Sequence, residues 1–170
     1  MAEFVKIQGL DVFAQALKIL PANVARRVLR GAVAAGGKVI RDEAKAKAPV
    51  FTGKVSQGHP PPGTLRRAIA LGRSNRFSGP GKEVYHVFVR NAATSSKGRK
   101  VAAGGKFDAY YWRYVEFGTS RMAARPFLRP AFEVKKEEAI GAITEYIANR
   151  FPQEAGQLGW RYINRIQPRR

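Results

Sequence analysis

One long apolar stripe that ends at a proline constrains this chain more than any other feature. From about Ala22 to Ala48, Val24, Val28, Ala32, Ala35 and Val39 recur at spacings of three and four. That period places them on one face of an α-helix. Leu29, Val33, Gly36 and Ile40 form a second stripe beside the first, and Arg26, Arg27, Arg30, Lys38 and Arg41 take much of the rest. So broad an apolar face must be buried against another element. Gly36-Gly37 weakens the middle and marks a bend or a close helix approach. Pro49 ends the helix, because the residue before a proline disfavours helical backbone. An earlier helical stretch opens at Gly9-Leu10-Asp11, with Asp11 as a candidate cap, and Pro21 interrupts it.

Val50 to Gly63 reads as loop, with Thr52-Gly53, Gly58 and the run Pro60-Pro61-Pro62-Gly63. Leu65 and Ile69 then stand one turn apart in a short helix or turn capped by Thr64. Glu83 to Arg90 is rich in β-branched and aromatic residues and predicts a strand. Asn91 to Lys106 is a small-residue, basic loop, and Tyr110 to Phe117 is aromatic and strand-like, ending at Gly118-Thr119. Arg125 to Pro130 is bracketed by prolines and predicts extended chain, with Pro130 at the first position of the next helix. In that helix Phe132, Lys136, Ile140, Ile143 and Ile147 share a face, Lys136 breaking the pattern, and Pro152 is expected to end it.

The order is helices, loop, strands, then helix. It predicts an α+β fold: a long N-terminal helix and a C-terminal helix packed on a small, mostly antiparallel β-sheet, with long loops. One domain over 1–151 and a basic C-terminal extension over 152–170 are expected, which suits a chain of 170 residues.

Catalytic chemistry finds little support. Cysteine is absent, which excludes disulfides and thiolate metal sites. His59 lies in the proline-rich loop and His86 in the strand, neither with a partner at metal-ligand spacing, so both read as structural. Gly104-Gly105-Lys106 is followed by Phe107, so the hydroxyl that ends a phosphate-binding Walker loop is missing. Asp42-Glu43 and Glu133-Glu137-Glu138 read as solvated helix charge. Glu116, between Val115 and Phe117, is able to bond backbone amides or pair with an arginine; a structural ion pair with Arg125 or Arg129 is the preferred reading. No catalytic residue, metal ligand or cofactor is expected, and an enzyme such as a nuclease lacks the carboxylate cluster it would need.

The formal net charge is +19, from 31 basic and 12 acidic residues. Such a surface attracts nucleic acid, acidic protein faces or anionic lipid, and charge alone does not choose among them. Lys97, Arg99, Lys100 and Lys106 in the loop, and Arg161, Arg165, Arg169 and Arg170 in the tail, are candidate contacts to a partner or to DNA phosphates. Tyr110, Tyr111, Trp112 and Tyr114 suit base stacking, but a dense aromatic strand is more often core or subunit interface. A nonspecific nucleic-acid-binding protein therefore stands as an alternative. No apolar run approaches membrane-spanning length, so no membrane partner is expected. The N-terminus lacks a signal-peptide pattern, and synthesis in a cytoplasm is the simplest expectation.

Four pieces in order carry a resemblance: Ala48-Pro49-Val50-Phe51-Thr52-Gly53, Leu65-Arg66-Arg67-Ala68-Ile69, Tyr114-Val115-Glu116-Phe117-Gly118-Thr119 and Arg125-Pro126-Phe127-Leu128-Arg129-Pro130-Ala131. In sequence and spacing, from roughly Val24 to Ile147, the chain resembles the head–tail joining or tail-completion (neck) proteins of tailed bacteriophages of the lambdoid siphophage type. Lys54 to Gly63 separates pieces that are usually contiguous in that family, and the basic tail beyond Pro152 has no counterpart there. The resemblance implies a non-enzymatic virion protein at the head–tail junction. It implies a homo-oligomeric ring, commonly a hexamer, through which genomic DNA passes. The implied neighbours are head-connector and tail-tube or tail-terminator proteins. A tail terminator or stopper ring of the same connector is the near alternative. Under this reading Tyr114, Glu116, Phe117, Gly118, Thr119, Arg125, Pro126, Phe127, Leu128 and Pro130 are candidate packing residues and subunit contacts. The basic loop and tail are expected to dock on acidic partner rings rather than line the channel, since a strongly attractive lumen would retard a moving genome.

Overall fold

A computed structural model describes residues 22–52, 60–91 and 108–166, with side chains undescribed at 155 and 157–166. The Asp11 cap, His59, the loop residues Lys97, Arg99, Lys100 and Lys106, the side chains of Arg161 and Arg165, and Arg169 and Arg170 lie outside the described residues.

Two long helices frame the fold. Helix α1 runs Ala22–Lys47, and the last helix, α4, runs Leu128–Ile166. Between them lie the short helix α2, Thr64–Ala68, the strands β1, Ile69–Arg73, and β2, Tyr85–Val89, and the short helix α3, Trp112–Phe117. The strands form one antiparallel pair, with Ile69 opposite Val89 and Arg73 opposite Tyr85. The architecture is α+β, as the element order predicts.

The α1 stripe is real but winds around the helix more than the spacing suggests: Val24, Val28, Ala32, Gly36 and Ala44 are buried, while Ala35 and Val39 are half-buried. Gly36 marks a close helix approach. A Cβ there would lie 2.7 Å from Ile143 Cγ1 and 2.8 Å from the Ala139 carbonyl of α4. On the adjoining face, a Cβ on Gly37 would lie 2.6 Å from Leu71 Cδ1 of β1. The glycine pair thus lets α1 approach a helix on one side and the sheet on the other, which repays its poor helix propensity.

Two apolar clusters result. Val28, Ala32 and Ile147, with Ile143 and Tyr146, join the helices; Ala44, Leu65, Ile69, Val89, Phe127 and Ala131 anchor the second cluster under the sheet.

Four expectations are corrected. The segment Tyr110–Phe117 is not a strand: Tyr114 N–H donates to the Tyr111 carbonyl at 3.0 Å and Gly118 N–H to the Tyr114 carbonyl at 2.9 Å, closing helical turns. A helix turns Tyr111, Trp112 and Val115 together onto the core, whereas a strand would split them between faces. The Arg125–Pro130 segment is extended only to Phe127; α4 begins at Leu128, and Pro130 sits inside its first turn, where no amide proton is required. The buried face of α4 is Ala131, Ala139 and Ile147, with Phe132 turned outward, so Lys136 breaks no pattern. Pro152 does not end α4, which continues to Ile166. Just past it Glu154 is buried between Arg27 of α1 at 3.7 Å and Arg150 at 3.2 Å, which ties the proline turn to the helix pair.

Two smaller differences concern the middle of the chain. Strand β1 follows α2 directly, where the sequence suggests only a helix or turn. Gly63, at φ 76°, takes the cap position of α2, and the buried Thr64 hydroxyl donates instead to the Pro61 carbonyl at 2.6 Å.

Helix α1 is also clipped to the strand pair by charge. The side chain of Glu83 is fully covered; its Oε1 accepts from Arg30 Nε at 3.1 Å and from Arg73 Nη2 at 3.0 Å. The Arg73 and Arg30 hydrogen bonds hold the Glu83 carboxyl below its ordinary pKa. A carboxylate with a lowered folded-state pKa stabilises the fold above the unfolded value and loses that contribution as pH falls through the folded value. Glu83→Gln is therefore expected to lower the urea midpoint at pH 6 and to match the parent more closely at pH 3. Equal differences at both pH values would contradict the clip.

Candidate assembly site

The third and fourth resemblance pieces meet in space, and Glu116 joins them. Helix α3 delivers its carboxylate to the start of α4, where Oε2 accepts from the amides of Phe127 at 2.8 Å and Leu128 at 3.1 Å. Oε1 accepts from the Arg129 amide at 3.2 Å. A helix start leaves its first amides without partners inside the helix. Here three are taken by one buried carboxylate, the next residue is Pro130, which has none, and Ala131 N–H already reaches the Phe127 carbonyl at 3.3 Å. The negative charge also faces the positive end of the α4 dipole. The expected ion pair with Arg125 or Arg129 is replaced by this amide clamp, because a helix N-terminus offers fixed donors at no cost in side-chain entropy.

The chain between the two pieces is bent to make the clamp possible. Gly118 has φ 76°, and a Cβ there would come within 2.9 Å of the Ala124 amide nitrogen and 3.0 Å of the Met122 carbonyl. Thr119 and Met122 then close a tight bridge, with Thr119 N–H donating to the Met122 carbonyl at 2.9 Å. Arg125 N–H returns to the Val115 carbonyl at 2.8 Å. Phe127, with no exposed surface, plugs the core beneath the clamp, and Leu128 packs against the same cluster.

The ten candidate residues therefore separate. Glu116, Gly118, Phe127 and Leu128 build the clamp, and Pro130 completes its donor arithmetic. Tyr114, Phe117, Thr119, Arg125 and Pro126 are exposed on its outer surface. Phe117 is 66% exposed and Tyr114 57%, one helical step apart on α3. Tyr110 and Met122, exposed too, extend this apolar surface, and Arg113 and Arg121 are exposed beside them. Sequence reading named Tyr110 only as a base-stacking candidate and passed over Arg113, Arg121 and Met122, which no motif or periodicity marks as part of one surface.

This surface is suited to binding protein. Tyr, Phe, Met and Arg are the residue types that interfaces concentrate. The acids nearest in sequence, Asp108 and Glu116, are both buried. No described group of three or more His, Cys, Asp or Glu side chains could hold a metal ion, and no described helix is long and apolar enough to cross a membrane.

Comparison with known proteins gives a family match. Residues 11–118, more than half of the chain, match the model of the HK97-gp10_like family, described as "Bacteriophage HK97-gp10, putative tail-component". No curated protein and no solved structure matches significantly. The matched region covers α1, the strand pair and α3 and stops at Gly118, so α4 and the Arg125–Ala131 piece lie beyond it. The chain belongs to the HK97-gp10-like family of bacteriophage tail components.

Proposed function

We propose that this tail component is a non-enzymatic subunit of the neck ring that completes the tail and joins it to the DNA-filled head. The observation that carries the reading is the exposed aromatic and arginine surface mounted on the Glu116 clamp. A rigid helix start with its amides capped by a distant carboxylate presents that surface without a large ordering cost on assembly. The order of the four sequence pieces supports the tail-completion position over a tail terminator or stopper ring.

The ring is a homo-oligomer, a hexamer by resemblance, with head-connector and tail-tube or terminator proteins as neighbours and the genome passing through its centre. Residues 1–151 form its body and 152–170 a basic extension. The high positive charge, with Lys97, Arg99, Lys100 and Lys106 in the loop and Arg161, Arg165, Arg169 and Arg170 in the tail, fits docking on acidic faces of those neighbours. Antibody labelling of intact purified virions tests the position: label confined to the head–tail junction is expected. Label along the tail or at its tip, or none in purified virions, would contradict it.

A further inference from the structure

We propose that the arginine–aromatic surface around α3 binds the outer face of α4 on a second copy of this chain, in a head-to-tail contact. The inference rests on the ring reading and supplies the partner face that reading lacks.

The argument begins with where the acids are. Among the described residues, the exposed acidic side chains off α4 reduce to Asp42, which Arg41 holds at 2.8 Å. The others, Glu133, Glu137, Glu138 and Glu145, all lie on α4. A protein of net charge +19 repels its own copies over most of its surface, so among the described residues this acidic face is where a basic patch is attracted.

Shape agrees with charge. Val134, Gly141 and Ala148 recur every seven residues, are exposed, and run between the acids as a seam of small side chains. Val134 is 61% exposed, and nothing lies within 4 Å of a Cβ built on Gly141. Bulky Tyr114, Phe117 and Met122 have room to seat in such a seam, while Arg121 and Arg125 reach Glu137 and Glu145. Those two glutamates are eight residues apart, about 12 Å along the helix. Lys135 and Lys136 pair with Glu138 and Glu133 within α4, so Glu137 and Glu145 are the acids left for a partner among the described residues. No ion pair between described residues joins the two faces inside one subunit. Because the faces differ, the contact is heterologous, the kind that forms a ring when the rotation between copies closes.

Sedimentation of the full chain at low and high salt tests this. The parent protein is expected to self-associate, less so at high salt. Arg121→Glu with Arg125→Glu, and separately Glu137→Lys with Glu145→Lys, are each expected to weaken association at least about a hundredfold, since like charges then face each other. All four positions are exposed, so circular dichroism should show both variants folded. Mixed in equal amounts, the two variants present complementary faces at every contact and are expected to reassemble to parent-sized oligomers. A parent that stays monomeric, variants that associate like the parent, or a mixture that stays dissociated would each overturn the proposal. These results concern this interface; the junction position is read independently by labelling virions.

Discussion

Phe127→Ala is expected to destabilise the fold by about 3–5 kcal/mol, the range for removing a fully buried phenylalanine from a packed core. Phe127 has no exposed surface and sits where Ala44, Leu65, Ile69 and Ala131 converge. The same cluster includes Ala44, Ala68 and Ala131 on helices, whose short side chains do not fill the space left behind. Phe127→Leu keeps most of the volume and should cost roughly 1–1.5 kcal/mol. The exposed Phe117 makes the contrast within one motif. Phe117→Ala should change stability by no more than about 0.5 kcal/mol, while weakening assembly if that surface is a contact. Urea unfolding of the three variants checks the ranking, and a Phe127→Ala cost no larger than that of Phe117→Ala would contradict the packing described.

Glu116→Ala should be nearly as damaging, chiefly through lost hydrogen bonds rather than lost apolar packing. It leaves the amides of Phe127, Leu128 and Arg129 without their acceptor at a covered helix start. Leaving a buried donor unsatisfied costs about 1–3 kcal/mol, and water will reach some of the three, so a total of roughly 3 kcal/mol is expected. At this chain length that corresponds to a fall in Tm of about 6–12 °C. Glu116→Gln keeps one acceptor oxygen and loses the charge that faces the helix dipole, and should fall between the parent and the alanine variant. Thermal unfolding followed by circular dichroism measures the series. An alanine variant as stable as the parent would mean that the carboxylate's hydrogen bonds are not what holds α4 in place.

The sequence made some features legible and hid others for identifiable reasons. Helix α1 was readable because its apolar period is local, and Pro49 marks its end within two residues. Strand β2 was readable for the same reason. Strand β1 was not, since Ile69-Ala70-Leu71-Gly72-Arg73 carries weak strand propensity and forms by pairing with β2. The aromatic run at Tyr110–Phe117 misled because side-chain type argued for strand, while the packing of Trp112 and Val115 and the reach of Glu116 demand a helix. Pro152 misled in the opposite direction: α4 runs through it, and just beyond it Glu154 is tied to Arg27 of α1 and to Arg150, contacts that no spacing rule reveals.

At the candidate site, the motif residues were found but their division of labour was not. Glu116 was singled out as a carboxylate in need of a partner, yet its partners are amides of residues 11 to 13 positions later. Backbone donors carry no sequence signature, so an arginine looked the better match. The exposed surface was missed in part because Met122 and Arg121 gain meaning only once the Gly118 turn places them beside α3.

Deleting the gene from its phage and imaging the lysate by negative-stain electron microscopy tests the central claim most directly. Filled heads and complete-looking tails that remain separate are predicted, with joining restored when the intact gene is supplied in trans. Normally joined, infectious virions in the deletion lysate would contradict the head–tail joining role.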